Sequence, residues 1–332
     1  MIEPLLALLS TTEYLSGEKL CEQLHMTRGA VWKRIEKLRE EGYEIISAGK
    51  KGYRLAPAAG SLLPGYIAAE LTTRQLGRGE MLYAREMDST NTRMKELGRA
   101  GAPQGSLALC ERQTAGRGRL GRAWETPMGE ALMQSLLLRP QLSTEQAQLC
   151  TLAAAVAMAQ AIHDLCPMLE AGIKWPNDLV INGKKCVGIL SELSANMDGI
   201  EFVVLGAGVN VNQERFEGEL AQKATSLLLE VRKTNPSALP LDRRALLLGY
   251  LQHMENALEA LEQHGLQGIL AEYIKRSVTL GSRVHVLGTH TDFAGIARAI
   301  DDTGALLVED EQGKQQRVLS GDVSVRGLMG YC

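Results

Sequence analysis

The densest chemistry in the sequence is the run Gln113-Thr114-Ala115-Gly116-Arg117-Gly118-Arg119-Leu120-Gly121-Arg122-Ala123-Trp124. Three Gly and three Arg fall within residues 116–122, and no acid lies between Glu111 and Glu125. Glycine lets a backbone approach a ligand closely and turn its N–H groups toward it. Arginine adds fixed charge and a fork that fits phosphate or carboxylate. The run therefore reads as a loop for a compact polyanion. Gly116, Gly118 and Gly121 satisfy G-x-G-x-x-G in form only. No well-placed acid follows about twenty residues on, and arginines would crowd the tight strand-to-helix turn. No Gly-Lys-Ser/Thr occurs, so a Walker A loop is excluded.

Four weaker clusters accompany it. Ile173-Lys174-Trp175-Pro176-Asn177-Asp178-Leu179 is a turn after a short strand, with Asp178 suited to Mg²⁺ or a ribose and Lys174 to a phosphate. Asn182-Gly183 signals a hairpin, and strict alternation beyond it puts Lys185 with Val187 on one face and Lys184 with Cys186 on the other. In Gly206-Ala207-Gly208-Val209-Asn210 the small residues at alternate positions clear room for a flat ligand, and Asn210 carries a donor and an acceptor suited to a base edge. Asp88-Ser89-Thr90-Asn91 is a helix start, which can also receive polar or anionic groups. An ordinary turn, hairpin, bulged strand or cap would carry the same residues, so each cluster is weak alone.

The histidines show no metal-ligand spacing, and neither H-E-x-x-H nor G-x-S-x-G occurs. Ser89 has no evident base partner, so covalent catalysis has no support.

These residues must be held by elements, and the chain divides into three textures. Residues 1–60 predict a small helical module. Leu5 to Leu9 begin a helix, Ser16 caps a second, and Thr27 caps a third that ends near Gly42. Two short strands, Tyr43–Ile46 and Tyr53–Leu55, flank a glycine-bounded basic tip. This is a winged helix-turn-helix pattern. Residues 26–55 hold eight basic side chains against four acidic ones, a net +4. Arg28, Lys33, Arg34 and Lys37 on the third helix, with Thr27 at its start, and Lys50 and Lys51 on the wing are the candidate DNA contacts.

Residues 57–61 read as a flexible linker. Residues 66–275 alternate strand-like and helix-like runs, with helices expected at Ser143–Leu165 and Arg243–His264. Residues 277–332 turn into short strands separated by Gly or Asp, the texture of a small β-barrel. The expected fold is thus α+β and multidomain: winged helix, central α/β domain with a mixed sheet, and a small C-terminal SH3-like barrel.

Composition agrees. The 332 residues are 45% hydrophobic and 23% charged with a net charge of −3, which excludes a disordered chain and a bulk polycation. The six cysteines stand singly, no basic leader opens the chain, and no apolar run reaches the roughly 20 residues of a membrane span. A soluble cytoplasmic protein is expected, with no membrane partner.

Taken in order, the Gly-Arg loop, the Lys-Trp-Pro-Asn-Asp run, the Lys185–Leu190 strand and the Gly-x-Gly-x-Asn strand resemble the bacterial bifunctional biotin–protein ligases that also repress biotin operons. The resemblance spans essentially the whole chain. It implies that biotin and ATP, with Mg²⁺ and no permanently bound cofactor or metal, give biotinyl-5′-AMP. The biotinyl group then passes to a lysine of the biotin carboxyl carrier protein, an acetyl-CoA carboxylase subunit. The adenylate-loaded homodimer is implied to bind operator DNA of biotin synthesis genes.

Residue by residue, the resemblance places Ser89, Thr90, Asn91, Gln113, Gly116, Arg117, Gly118, Arg119, Lys185, Gly188 and Gly206 at biotin. It places Arg119, Arg122, Trp124, Asn177, Asp178 and Asn210 at the nucleotide. Lys185, Arg119 and Asp178 carry the catalysis it implies. Leu120 departs from the pattern, since that loop position is often basic. Two other readings share most of these residues: a ligase whose winged helix does not repress, and a biotin-sensing transcription factor without ligase activity.

Overall fold

A computed structural model describes residues 4–56, 58–288 and 292–320, and the backbone of Val323–Gly327. The N-terminal unit comprises α1 (Pro4–Leu8), α2 (Gly17–Leu24) and α3 (Arg28–Glu40), then the hairpin β1 (Ile45–Ser47) and β2 (Tyr53–Leu55). Ser16 and Thr27 cap α2 and α3 through their hydroxyls. Leu5, Leu20, Val31, Ile35, Leu38 and Leu55 form its core. Gly52 cannot be another residue without rearrangement, because a Cβ there would stand 1.9 Å from the Leu15 carbonyl oxygen.

α4 (Pro64–Glu70) belongs to two cores. Its Tyr66 packs with the winged helix and its Ile67 with the large domain. The segment before it, expected as a flexible linker, is anchored where it is described. Ala58 packs on the N-terminal core, and Arg244 Nη1 donates to its carbonyl at 2.6 Å. Arg244 also lies over the Tyr66 ring and pairs with Glu70. Pro57 lies outside the described residues.

The central domain is a seven-stranded mixed sheet among the described residues, ordered β3-β4-β5-β9-β8-β7-β6. The strands are β3 (Met81–Met87), β4 (Leu107–Gln113), β5 (Ala131–Leu138), β6 (Gly172–Lys174), β7 (Asp178–Ile181), β8 (Lys184–Asn196) and β9 (Gly199–Asn210). Only β3 and β4 pair in parallel. One face is covered by α6 (Gln148–Leu165), α9 (Arg243–His264) and α10 (Gln267–Arg276). α6 is apolar nearly all round and buried accordingly. A separate 3₁₀ turn (Thr144–Gln146) takes the place of the helix start expected at Ser143. On the other face α5 (Thr90–Arg99) packs near the end of β4, leaving a space beside it. The short helix α7 (Leu220–Lys223) borders that space, and α8 (Leu227–Arg232) follows it.

The C-terminal unit is a five-stranded antiparallel sheet, ordered β13-β12-β11-β10-β14. It comprises β10 (Arg283–Gly288), β11 (Asp292–Ile300), β12 (Leu306–Asp310), β13 (Gln315–Val318) and β14 (Val323–Gly327). Its apolar face continues the central core through Val284, Val286, Ile300, Leu306 and Val308. Trp175 locks the two together. It is 1% exposed and its Nε1 donates to the Gly304 carbonyl at 3.1 Å. Among the described residues no helix is long and apolar enough to cross a membrane.

Candidate active site

The site is a cavity of about 1000 Å³ on the open face of the central sheet. Cross-strand register explains its floor. Ser135, Gly206 and Leu190 are direct neighbours across β5, β9 and β8. One step along, Met133, Gly208, Gly188 and Asp178 form a second row across β5, β9, β8 and β7. A side chain would be crowded at three of these points. A Cβ on Gly206 would stand 2.0 Å from Asn91 Oδ1, one on Gly208 2.5 Å from the Trp124 indole, and one on Gly188 3.0 Å from it.

The polar end of the cavity is built at the start of α5. Ser89 caps the helix and Thr90 and Asn91 open it, all three buried. Gln113 Oε1 accepts from the Thr90 backbone N–H at 2.7 Å and from its hydroxyl at 3.1 Å. Asn91 Oδ1 accepts from Ser135 Oγ at 2.6 Å, and Asn91 Nδ2 donates to Glu192 at 2.8 Å. Lys95 pairs with the same Glu192 at 2.6 Å. This end is thus a donor–acceptor lattice of amides and hydroxyls, backed by the Lys95–Glu192 pair, beside a flat floor.

The other end is charged. Asp178 Oδ1 lies 2.5 Å from Lys185 Nζ, and the ammonium sits 5.4 Å from the centroid of the Trp124 ring. Strict alternation would have put Lys185 beside Val187. The structure corrects that expectation through a bulge. Leu179 faces Val187 and Val180 faces Lys185, so Cys186 is an extra residue. Val187 turns into the core while Lys185 joins the face of Asp178 and Gly188.

The Gly-Arg segment folds over this end as a small hairpin. Gly118 N–H donates to the Arg122 carbonyl and Trp124 N–H to that of Gly116. Gly116 has no room for a side chain, since a Cβ would stand 2.3 Å from the Trp124 carbonyl oxygen. Arg119 is the inward arginine. It donates to Asn177 Oδ1 at 3.1 Å and to the Ser320 carbonyl of the C-terminal unit. Burial lowers its basicity, Asp178 counteracts this, and Arg122 adds to the lowering. Arg117 and Arg122 line the same cavity, and Leu120 stands at the exposed tip with a left-handed backbone. The indole N–H of Trp124 is enclosed without a hydrogen-bond partner.

Two further candidates also line the cavity. Asn210 spends its amide internally, donating to the Thr225 carbonyl at 3.1 Å and accepting from Gln213 at 3.0 Å. It fixes the segment leading to α8 and also lines the cavity. Lys174 is buried in the cavity wall. Sequence reasoning missed Ser135, Glu192, Glu230 and Ser320. Their signal is register or long-range contact, which no local motif carries. Glu230 accepts from Thr225 Oγ1 and Asn182 Nδ2, each at 2.6 Å, and so ties the β7–β8 turn to α8.

In the winged helix, Lys33, Lys50 and Lys51 are exposed, as is Arg28, which pairs with Glu18 at 2.6 Å. Lys37 lies 3.7 Å from Glu41, and Arg34 is half-buried. Thr27 accepts from the Ala30 N–H and serves the helix start. Such exposed ion pairs are weak, about 0–1 kcal/mol, and yield readily to a phosphate. His285 is exposed on β10, and His290 lies outside the described residues.

Residues 83–210 match the Biotin/lipoate A/B protein ligase family, residues 3–54 the HTH domain family, and residues 279–326 the Biotin protein ligase C terminal domain. The bifunctional ligase/repressor BirA of Bacillus subtilis is 36% identical over 94% of this chain and 94% of its own length. That of Escherichia coli is 33% identical over 97% and 96%. The biotin protein ligase of Aquifex aeolicus, solved in complex with biotin and ATP, superposes with a TM-score of 0.63 at 28% identity, covering 75% of this chain and 99% of that one. With such identity along nearly its whole length, and with winged helix, glycine-floored sheet and C-terminal β-unit in the same order, the chain belongs to the family of bifunctional biotin–protein ligase/repressors.

Proposed function

We propose that this chain activates biotin with ATP to biotinyl-5′-AMP, passes the biotinyl group to a lysine of the acetyl-CoA carboxylase carrier subunit, and represses transcription through its winged helix. The observation that carries the reading is the joining, in one cavity, of a flat polar floor and a cationic end centred on Lys185. A biotin sensor would need only the first.

Ser89, Thr90, Asn91, Gln113 and Gly206 hold the fused ring, whose ureido group asks for fixed donors and acceptors. Gly116, Arg117 and Gly118 close over the chain of the substrate. The carboxylate oxygen attacks the α-phosphorus, and the bond to pyrophosphate breaks. Negative charge grows on the phosphoryl oxygens, and Lys185 and Arg119 meet it without forming any covalent bond. Asp178 keeps Lys185 in place. Arg122 and Trp124 take the nucleotide, and Asn177 orients Arg119.

Among the described residues no three His, Cys, Asp or Glu gather as a metal site. A Mg²⁺ ion would be held mainly by the ATP phosphates, and Asp178, a half-buried cavity carboxylate that also pairs with Lys185, could add one oxygen. Mg²⁺ so bound would offset the charge of the leaving pyrophosphate. The closed loop shields the mixed anhydride from water. Arg28, Lys33, Arg34, Lys37, Lys50 and Lys51 contact DNA, with Thr27 setting the helix start. The adenylate-loaded protein acts as a homodimer, in the cytoplasm, where buried reduced thiols such as Cys110, Cys150 and Cys186 persist.

The test is incubation with biotin, Mg²⁺, α-labelled ATP and a carrier domain. Labelled adenylate and a biotinylated lysine are expected. Biotin binding without either product would turn the reading to a sensor.

A further inference from the structure

The recognition helix carries a residue that its fold does not use. The apolar positions Val31, Ile35 and Leu38 of α3 are buried in the winged-helix core. Trp32 is not among them. It is 55% exposed, on a unit where Tyr43 and Tyr53 pack into or against the core and the less exposed Tyr14 is covered by the Arg54 guanidinium at 5.1 Å. Leaving an indole in water forgoes the stabilisation its burial would bring.

Its surroundings define the partner. Positions three and four apart share a helix face, so Arg28, Gly29, Trp32 and Lys33 form one patch over the first turns of α3. Gly29 has nothing within 4 Å of a Cβ built on it, so the patch is open beside the indole. Lys33 is exposed and makes no ion pair among the described residues, and the same holds for Lys50 and Lys51 at the wing tip. The one nearby acid on the helix, Glu36, is held by Arg39 at 2.6 Å. The first turns of such a helix are the part that enters a major groove. An apolar plate amid cations matches the edge of a duplex, where phosphates flank thymine methyl groups.

We propose that Trp32 is a sequence-reading contact to duplex DNA, packing on base edges in the major groove, while Lys33, Lys50 and Lys51 set affinity through phosphates. The inference rests on the DNA-binding reading above. It adds the residue and the kind of base feature read.

The experiment uses the full chain loaded with biotin and Mg·ATP and a pool of duplexes randomised over about two helical turns. Wild-type protein should enrich a motif. Trp32→Ala should lose preference at one or two base pairs and bind the wild-type motif about tenfold or more weakly, with its salt dependence and its binding to unselected duplex unchanged. Trp32→Phe should restore part of the preference. The double change Lys50→Ala, Lys51→Ala should instead weaken all duplexes alike and flatten the salt dependence. Adenylate formation by each variant verifies that the chain is folded. Trp32→Ala with the wild-type motif and affinity would overturn the proposal. So would a change confined to self-association in sedimentation, which would assign the patch to a second copy. A wild-type protein that binds no duplex at low salt would instead remove the DNA-binding reading itself.

Discussion

Asp178 and Lys185 meet at 2.5 Å only because Cys186 is one residue too many for the strand that carries it. The extra residue switches the face of β8, turning Lys185 to the cavity while Val187 stays in the core. Bulges beside active sites often re-aim a side chain in this way. Lys185→Ala is therefore expected to lower the rate of pyrophosphate release in a single turnover by roughly 10²–10³-fold, the usual effect of removing one preorganised charge from a developing oxyanion. Asp178→Asn should cost less, because the ammonium remains but is held more loosely. Biotin affinity, measured by calorimetry without ATP, should change much less than the rate in both. A Lys185→Ala enzyme with an unchanged rate would remove the lysine from the chemistry.

How far the sequence led depends on how local each signal is. Caps such as Ser16, Thr27 and Ser89, the helix Arg243–His264 and the Asn182-Gly183 turn were legible because a few neighbours decide them. The glycine floor was legible as spacing, since Gly206 and Gly208 alternate on one strand. The bulge was not, because periodicity counts residues and cannot see one left unpaired. Nor was the role of Trp175, whose partner Gly304 lies far along the chain. Strand β3 escaped because Met81–Met87 alternates poorly, being half-buried next to β4 alone.

The two floor glycines should fail in opposite ways. A Cβ at Gly208 presses on Trp124, while one at Gly206 presses on Asn91. Gly208→Ala is expected to raise KM for ATP about tenfold and leave that for biotin within about twofold, and Gly206→Ala to do the reverse, as displacing a positioning group by about an ångström does. Steady-state kinetics with each substrate varied in turn gives the answer. Equal effects on both substrates from either change would show that floor and nucleotide end are not separable.

Arg119 bridges Asn177 on the turn before β7 and the Ser320 carbonyl of the C-terminal unit. That places one side chain across the mouth of the cavity. Arg119→Ala should hasten escape of biotinyl-5′-AMP by about 10–100-fold, equivalent to roughly 1.4–2.8 kcal/mol of lost retention. Adenylate synthesis should suffer less than its retention. Filter-binding chase of labelled adenylate measures the rate, and unchanged release would assign the closure to Arg117 or Arg122.

Glu255 on α9 anchors the loop that precedes β3 and should make the fold acid-sensitive. Its carboxylate is buried and accepts from the backbone N–H groups of Arg74 at 2.8 Å, Gln75 at 2.7 Å and Leu76 at 3.0 Å. Burial alone would raise its pKa. The three backbone donors and the Arg74 charge outweigh burial and hold it below the ordinary carboxylate range. Its folded value is thus below its unfolded value of about 4.3, so the stabilisation is complete above that pH and is lost as the pH falls through the folded value. Glu255→Gln keeps one acceptor oxygen, replaces the other by a donor that faces an N–H, and should cost about 1–3 kcal/mol at pH 7. Thermal melts of the wild type and the variant at pH 7 should then differ by several degrees. The gap should narrow toward pH 3 as the wild-type carboxyl protonates. A gap that stays constant over that range would mean the three N–H groups stabilise the loop without regard to charge.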